Sequence, residues 1–547
     1  MGAEFAPTRR RVLRAAGVTG AAGLAQAMTG LGPLGPTGAW AAPLQPPAGS
    51  GNGRGVLVLG AGIAGLTSAY LLHQAGYDVT VIEAQQRPGG RNFTGRRGTV
   101  ITENGRTGPV TQICRFDEGQ YLNLGPGRLP YHHRRVLDYC RQLGVALEPY
   151  VMETTANLVQ LSSGFDQEPM VNRRLANDTR GHLAALLNDA VDRGVFDGEL
   201  TPGEQKSLLE LLRVFGDLRD GRYLGSTRSG CAKPETVSQA CEPMPPLSLT
   251  ELLDAQFWAS RVYQPVSYLW QPTMFQPVGG MDKIVEGFWR QVGSLVVLDA
   301  EVQRITVSDS QVSIAGNLGG RPFSASAEYC VSSIPFPVLR SLPTNLATDF
   351  ADAVATPDFE ATCKVGWQAQ SRFWESDAHQ IYGGISWTDD MITQMWYPSN
   401  DYFTAKGTFT GAYNYDADAI ALGELSFPDR LAAAKRGGAK LHPEIADESI
   451  VPTALGVSIA WHKVPHQLGG WANWKNDDPA HQRAYRRLLA PDRRFYVTGD
   501  QISPLPGWQE GAIMSAEYVC GQIGGQVNDA VPDEVLVPDA KTLTQGG

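Results

Sequence analysis

The stretch GVLVLGAGIAGLTSAYLLHQAGYDVTVIEA, residues 55–84, limits what this chain can fold into more than any other. Val56–Leu59 is an unbroken run of Val and Leu, the composition of a strand buried on both faces. Gly60-Ala61-Gly62-Ile63-Ala64-Gly65 follows as a tight turn. Leu66, Tyr70 and Leu71 then fall at helical spacing, and Gly76 ends the helix. A second strand, Asp78–Ile82, finishes on Glu83. Strand, glycine turn, helix, strand and acid in that order predict a parallel βαβ unit that binds a dinucleotide. Gly60, Gly62 and Gly65, with Ala64 between them, let the backbone approach a pyrophosphate. The helix N-terminus offers it free N–H groups, and Glu83, followed by Ala84, brings a carboxylate to ribose hydroxyls.

A chain of 547 residues has room for further lobes around this unit, and 61 glycines and 36 prolines predict many turns and interrupted elements. The net charge of −10, with no basic tract, argues against nucleic acid or an anionic membrane as partner. Thr8-Arg9-Arg10 is backed by Val12, Leu13 and Arg14, a small-residue run and AWAAP at 39–43. These features read as a twin-arginine export signal over 1–41, a route for folded proteins, and predict a secreted or periplasmic product. Cleavage after Ala41 would remove four arginines and Glu4 and move the net charge to −13. No other apolar run reaches transmembrane length, so no stable membrane insertion is expected. The seven cysteines (114, 140, 231, 241, 330, 363, 520) form no CxxC pair and no ligand spacing with histidine, so no metal is expected. Cys231 and Cys241 share a Ser/Gly/Pro-rich loop in which they could pair after export.

Two charged residues stand in apolar surroundings. Arg128, in YLNLGPGRLP, is either a solvated loop residue or a clamp for a planar anion, which its forked donors fit. Lys364, in ATCKVGWQAQ, either snorkels to the surface or is buried at a cost that partners must offset. Composition and spacing leave both pairs of readings open.

Arg87-Pro88-Gly89-Gly90-Arg91, just past Glu83, resembles the phosphate- and flavin-positioning segment of the flavin-dependent amine oxidase superfamily. The resemblance implies FAD rather than NAD, with Arg87, Gly90 and Arg91 among its contacts. QPVGGM at 276–281, followed by VVLDAEVQRITV, is similar to the segment that returns the chain to the FAD domain and implies Val302 behind the adenine. FYVTGDQ and PGWQEGAIMSA imply Gly499 and Asp500 at the ribityl and phosphate groups, with Gly507, Trp508 and Ala512 near the isoalloxazine. Gly125, Pro126, Gly127 and Arg128 complete the implied set. Monoamine oxidases carry a flavin-linking cysteine where this chain reads Ser503-Pro504-Leu505-Pro506-Gly507, and Cys520 lies further along the helix; non-covalent FAD is the expectation.

Within the superfamily the chain most resembles L-amino acid oxidases. LGPGRLPYHHRRVLDYCRQLGV is similar to their LGPxRxP segment and implies Arg128 as the residue that binds the substrate carboxylate. Gly127 departs from it, standing where a bulkier residue is common. ATCKVGWQAQSRFW, IYGGISWTDD and WYPSN imply Lys364 as the catalytic lysine beside the flavin. GAYNYDADA implies Tyr413 as a second carboxylate donor, and WHKVPHQLGGW implies Trp461 under the flavin, followed by Gly470 and Trp471. Trp508 and Tyr413 would wall the amine, and His132 and His133 receive no role.

The implied activity is FAD-dependent oxidation of an L-α-amino acid to the 2-oxo acid, ammonium and hydrogen peroxide. Its alternatives are an amino acid 2-monooxygenase giving the amide, a polyamine or monoamine oxidase, and a flavin-bearing partner without turnover. Trp387, Trp471, Trp508 and Tyr413 favour a bulky apolar side chain; Asp389 or Glu510, if either faced the pocket, would favour lysine or arginine instead. The partners expected are a small amino acid and O2, with a homodimer left open. The expected architecture is α/β. A Rossmann-like FAD domain of the amine oxidase and glutathione reductase type takes 50–130, 275–340 and 455–525. A mixed-sheet substrate domain takes 340–455 with parts of 255–275, and a helical lobe takes 131–255, where SLLELLRVF falls at helical spacing. Residues 526–547 form a tail.

Overall fold

A computed structural model describes residues 44–270 and 273–527. The export signal expected over 1–41 and all but two residues of the expected tail lie outside the described residues.

The 55–84 unit folds as its pattern dictates. Gly55–Leu59 pairs in parallel with Asp78–Ile82 on one side and Tyr329–Ser332 on the other, and Val296–Val297 and Phe495–Val497 extend the sheet to five parallel strands. Val56–Leu59 is buried throughout, as a central strand covered on both faces requires. The helix Ile63–Gln74 packs against the helix Gln509–Ile523 on one face of the sheet. The antiparallel strands Ala300–Val307, Val312–Leu318 and Arg321–Ala327 enclose a second core on the other face. This lobe is therefore sewn from chain segments more than 400 residues apart.

A seven-stranded mixed sheet forms the second lobe, in the order Met170–Val171, Leu158–Gln160, Ile385–Thr388, Gln394–Trp396, Gly407–Tyr415, Thr362–Ala369, Gly456–Ala460. Its long central pair, Thr362–Ala369 with Gly407–Tyr415, sets Lys364 directly opposite Tyr413. Two strands of this sheet, and Leu147–Tyr150 of a neighbouring three-stranded sheet, come from the segment expected as a helical lobe. The β-forming runs LEPY and LVQ are too short to carry a helix and find partners at the edges of existing sheets. The helical lobe proper is Asn172–Asp192, Pro202–Gly216 and Leu249–Ala255. Similarly, Gly456–Ala460, expected in the cofactor domain, is an edge strand of the mixed sheet. Cys231 and Cys241 are disulfide-bonded, and the other five cysteines are free and buried. No helix among the described residues is long and apolar enough to cross a membrane.

Candidate active site

A cavity of about 340 Å³ runs between the two lobes, from the N-terminus of the Ile63–Gln74 helix to the face of the mixed sheet. Its first half is built mostly of backbone. Gly60, at φ +96°, turns the chain out of its strand, and Gly62 begins the helix with no side-chain cap and open space beside it. Uncapped N–H groups thus face the cavity, a ready anion site. Glu83 accepts from the N–H groups of Ala61 (2.7 Å) and Gln85 (2.8 Å), and burial raises its pKa. Ala84, Gly90, Gly125, Pro126, Gly127 and Val302 line the same half. Arg91 lines it too, and is fixed by the Asp500 carboxylate and the Gly470 carbonyl. Asp500 also accepts from the N–H of Gly507 (2.8 Å). Gly499, Trp461 and Ala512 close this half, with the Trp461 indole donating to the Leu124 carbonyl at 2.9 Å. An elongate cavity with helix N-termini for phosphates and a carboxylate for ribose suits a flavin dinucleotide.

The second half is built of side chains. Arg128 is only 5% exposed, and its guanidinium lies between the faces of Trp270 (4.2 Å) and Trp396 (4.4 Å). Its Nε and one terminal nitrogen have no hydrogen-bond partner, and no carboxylate pairs with it among the described residues. The Tyr150 hydroxyl feels the guanidinium's charge but has no well-formed hydrogen bond of its own. Lys364 is also buried; its Nζ donates to the carbonyls of Gly125 (2.5 Å) and Asn123 (3.3 Å) and lies over the rings of Trp396 (4.4 Å) and Tyr413 (4.5 Å). Desolvation, then the charge of Arg128, pushes its pKa well below the ordinary lysine value. Two basic side chains therefore share an aromatic chamber that supplies no counter-charge. Trp508 forms one wall, edge to face with Trp270 (5.2 Å) and with His133 (4.8 Å). Tyr413 stands between Trp396 and Tyr415, and the Trp471 ring lies against Gly507.

Most of the residues singled out in the sequence meet in this one cavity, but some do not. Gly65 lies outside it: a Cβ there would fall on the Gly60 carbonyl, so this glycine serves helix-to-strand packing. Arg87 does not reach it either. Its guanidinium covers Phe93 at 3.8 Å and donates to the Gly90 carbonyl at 3.0 Å, shaping the loop, and burial pulls its pKa down to about 10. Trp387 is buried in the core behind the chamber. Asp389 is spent on Ser162 at the surface, and Glu510 accepts from the N–H groups of Arg135 and Val136 at a helix start and pairs with Arg135. Neither acid faces the pocket, so the expectation of a lysine or arginine side chain loses its basis. Trp270, Trp396 and Tyr415 are not among the singled-out residues; Trp396 and Tyr415 lie inside the WYPSN and GAYNYDADA matches, and Trp270 lies in none. Trp396 also explains the departure at Gly127, because a Cβ at 127 would stand 2.9 Å from its ring. The bulk missing from one segment is supplied by another.

A family model described as flavin containing amine oxidoreductase matches residues 63–524. The flavin-dependent L-tryptophan oxidase of Lentzea aerocolonigenes is 27% identical over 84% of this chain and 96% of that protein. The L-amino-acid oxidase of Bothrops pauloensis is 24% identical over 85% and 88%. Among solved structures, putrescine oxidase aligns at TM-score 0.56 and 17% identity over 87% of this chain and 99% of its own. Cyclohexylamine oxidase of Brevibacterium oxydans aligns at 0.54 and 16% over 86% and 99%. These two likenesses concern the fold.

Proposed function

The chain belongs to the flavin-containing amine oxidoreductase family, and on that premise we propose that it is an L-amino acid oxidase. The reaction takes an L-α-amino acid, O2 and water to the 2-oxo acid, ammonium and hydrogen peroxide. The cofactor half of the cavity takes FAD, held by the helix N-terminus at Gly62, by Glu83, and by Arg91 with Asp500. Non-covalent attachment is supported by the absence of cysteine from the lining; Cys520 faces the Ser68 carbonyl inside the core. When bound, the flavin supplies a two-electron acceptor that O2 can reoxidise.

The chain's own residues do the binding and orienting. Arg128 receives the substrate carboxylate and fixes the Cα beside it, and the indoles over and under the guanidinium keep water from competing. Tyr413 closes the other side. Lys364, tethered to two backbone carbonyls and held toward its neutral form, is placed to hold a water or accept a proton at Nζ. The substrate amine reacts only when unprotonated, so kcat/KM rises with pH. The aromatic lining by Trp270, Trp396, Trp471, Trp508, Tyr413 and Tyr415 favours a bulky apolar side chain, in keeping with a relative named for L-tryptophan. Export by the twin-arginine route is part of the same reading, supported by Thr8-Arg9-Arg10 and by a disulfide suited to an oxidising compartment.

The observation that carries the proposal is the buried guanidinium without a counter-charge. Arg128→Ala is expected to raise KM for an L-amino acid by about 100-fold and to leave KM for the corresponding decarboxylated amine nearly unchanged. An unaltered KM for the amino acid would mean that an amine, not an amino acid, is the substrate. A peroxide-coupled screen of the twenty L-amino acids then ranks side chains.

A further inference from the structure

On the far side of the mixed sheet, away from the cavity, His379, His442 and Glu444 each offer one donor atom within 4.8 Å of the others. His379 follows the short helix Phe373–Glu375, whereas His442 and Glu444 open the short helix Pro443–Ala446, so the cluster ties two distant segments together. His442 is wholly buried. Its Nε2 lies 2.6 Å from the Tyr397 hydroxyl, which donates its own proton to Ser386 at 2.8 Å. In the tautomer that donates from Nε2 to Tyr397, Nδ1 carries a lone pair, and this nitrogen has no partner. Glu444 accepts from or pairs with His379 through Oε1 at 2.9 Å, and its enclosed Oε2 is likewise unpartnered. A buried imidazole nitrogen and a buried carboxylate oxygen are thus both unsatisfied within one cluster, a deficit that a bound cation would relieve.

We propose that His379, His442 and Glu444 form a binding site for a divalent transition metal ion, zinc being the ion that two imidazoles and one carboxylate suit best. Ligand atoms about 2 Å from zinc stand a little over 3 Å apart, so closing this cluster needs only small side-chain rotations. Tyr397 acts as the outer partner that fixes the His442 tautomer, the arrangement usual for metal-bound histidine. His379 and Glu444 retain partial exposure, which gives the ion an entry path and room for a water as fourth ligand. The sixty-odd residues between the two histidines explain why no ligand spacing was legible in the sequence. Nothing in the cavity depends on this site, so the proposal is independent of the substrate assignment.

The test uses the full chain with its flavin, free of any polyhistidine tag. The protein is stripped with EDTA and dialysed against micromolar zinc chloride, and zinc per chain is measured by atomic emission. One zinc per chain and a rise in Tm on adding zinc are expected. His379→Ala and Glu444→Gln are expected to weaken binding by at least about 10-fold, and Tyr397→Phe by about 10-fold. All three leave His442 in place, so a failure to fold at that buried position does not intervene. Substoichiometric zinc in the unaltered chain, or equal retention by His379→Ala and Glu444→Gln, would overturn the site.

Discussion

Two buried arginines divide the molecule's chemistry between them. Arg430 is 1% exposed and fully satisfied. It grips Glu103 through two nitrogens at 2.8 and 2.9 Å and donates to the carbonyls of Leu422 and Gly423, while Glu103 also accepts from the N–H of Ala460. Arg128 is almost as deeply buried, yet aromatic faces surround it and two of its nitrogens donate to nothing. In the first region the chain provides the counter-charge and locks a helix to a hairpin. In the second it withholds one. Burial of a charge marks either a pillar or a receptor, and the hydrogen-bond inventory tells which.

The contrast can be broken most forcefully at the pillar. Arg430→Ala strands Glu103 without its cation and should cost about 3–5 kcal/mol, read as a large fall in Tm or loss of soluble protein. Specific activity per bound flavin in whatever folds should stay close to normal. Arg128→Ala should do the reverse, with a Tm near or above that of the unaltered chain beside the collapse of kcat/KM described above. Equal destabilisation by both changes would erase the distinction.

Lys364 tests the receptor region in a subtler way. Lys364→Met should slow flavin reoxidation by O2 by about 10–100-fold and affect anaerobic reduction much less, a difference stopped-flow absorbance resolves. Its stability signature follows from the lowered pKa. Between the depressed folded value and the ordinary lysine value the unfolded chain binds more protons, so the unaltered protein gains stability as pH rises through that window. Lys364→Met lacks that gain, and thermal melts of the two proteins should converge toward alkaline pH.

The smallest effect concerns a buried acid. Glu360 accepts from the N–H of Asp416 and from Asn473; desolvation, followed by the neighbouring Asp416 carboxylate, raises its pKa to about 7. A carboxyl whose folded pKa exceeds its unfolded value of 4.5 contributes stability that is full below 4.5 and lost as pH rises through about 7. Glu360→Gln should flatten that decline, by on the order of 1–2 kcal/mol, in Tm measured from pH 5 to 8.

What the sequence disclosed of this fold and site follows the range of each signal. Residues 55–84 were readable because a buried strand, a glycine turn and a helix announce themselves within a few residues. Arg128 and Lys364 stood out because a charge in an apolar run is a local contradiction. Trp270, Trp396 and Tyr415 escaped because an aromatic residue in a short helix or a buried strand looks like any core residue until the fold brings it to the cavity wall. Arg87 misled for the converse reason: it lies in a segment that reaches the site, but its side chain is claimed by a loop carbonyl. The strands at 147–160 went unseen because runs of three or four residues carry too little periodicity, and only existing sheet edges recruit them.

The first helix of the cofactor lobe leans on the last, Ile63–Gln74 against Gln509–Ile523, and Arg91 reaches Asp500 across the cavity. A ribosome must therefore release nearly the whole polypeptide before any flavin can lodge. Cofactor uptake is thus an event of the finished chain, one that an N-terminal fragment holding the glycine turn alone cannot begin.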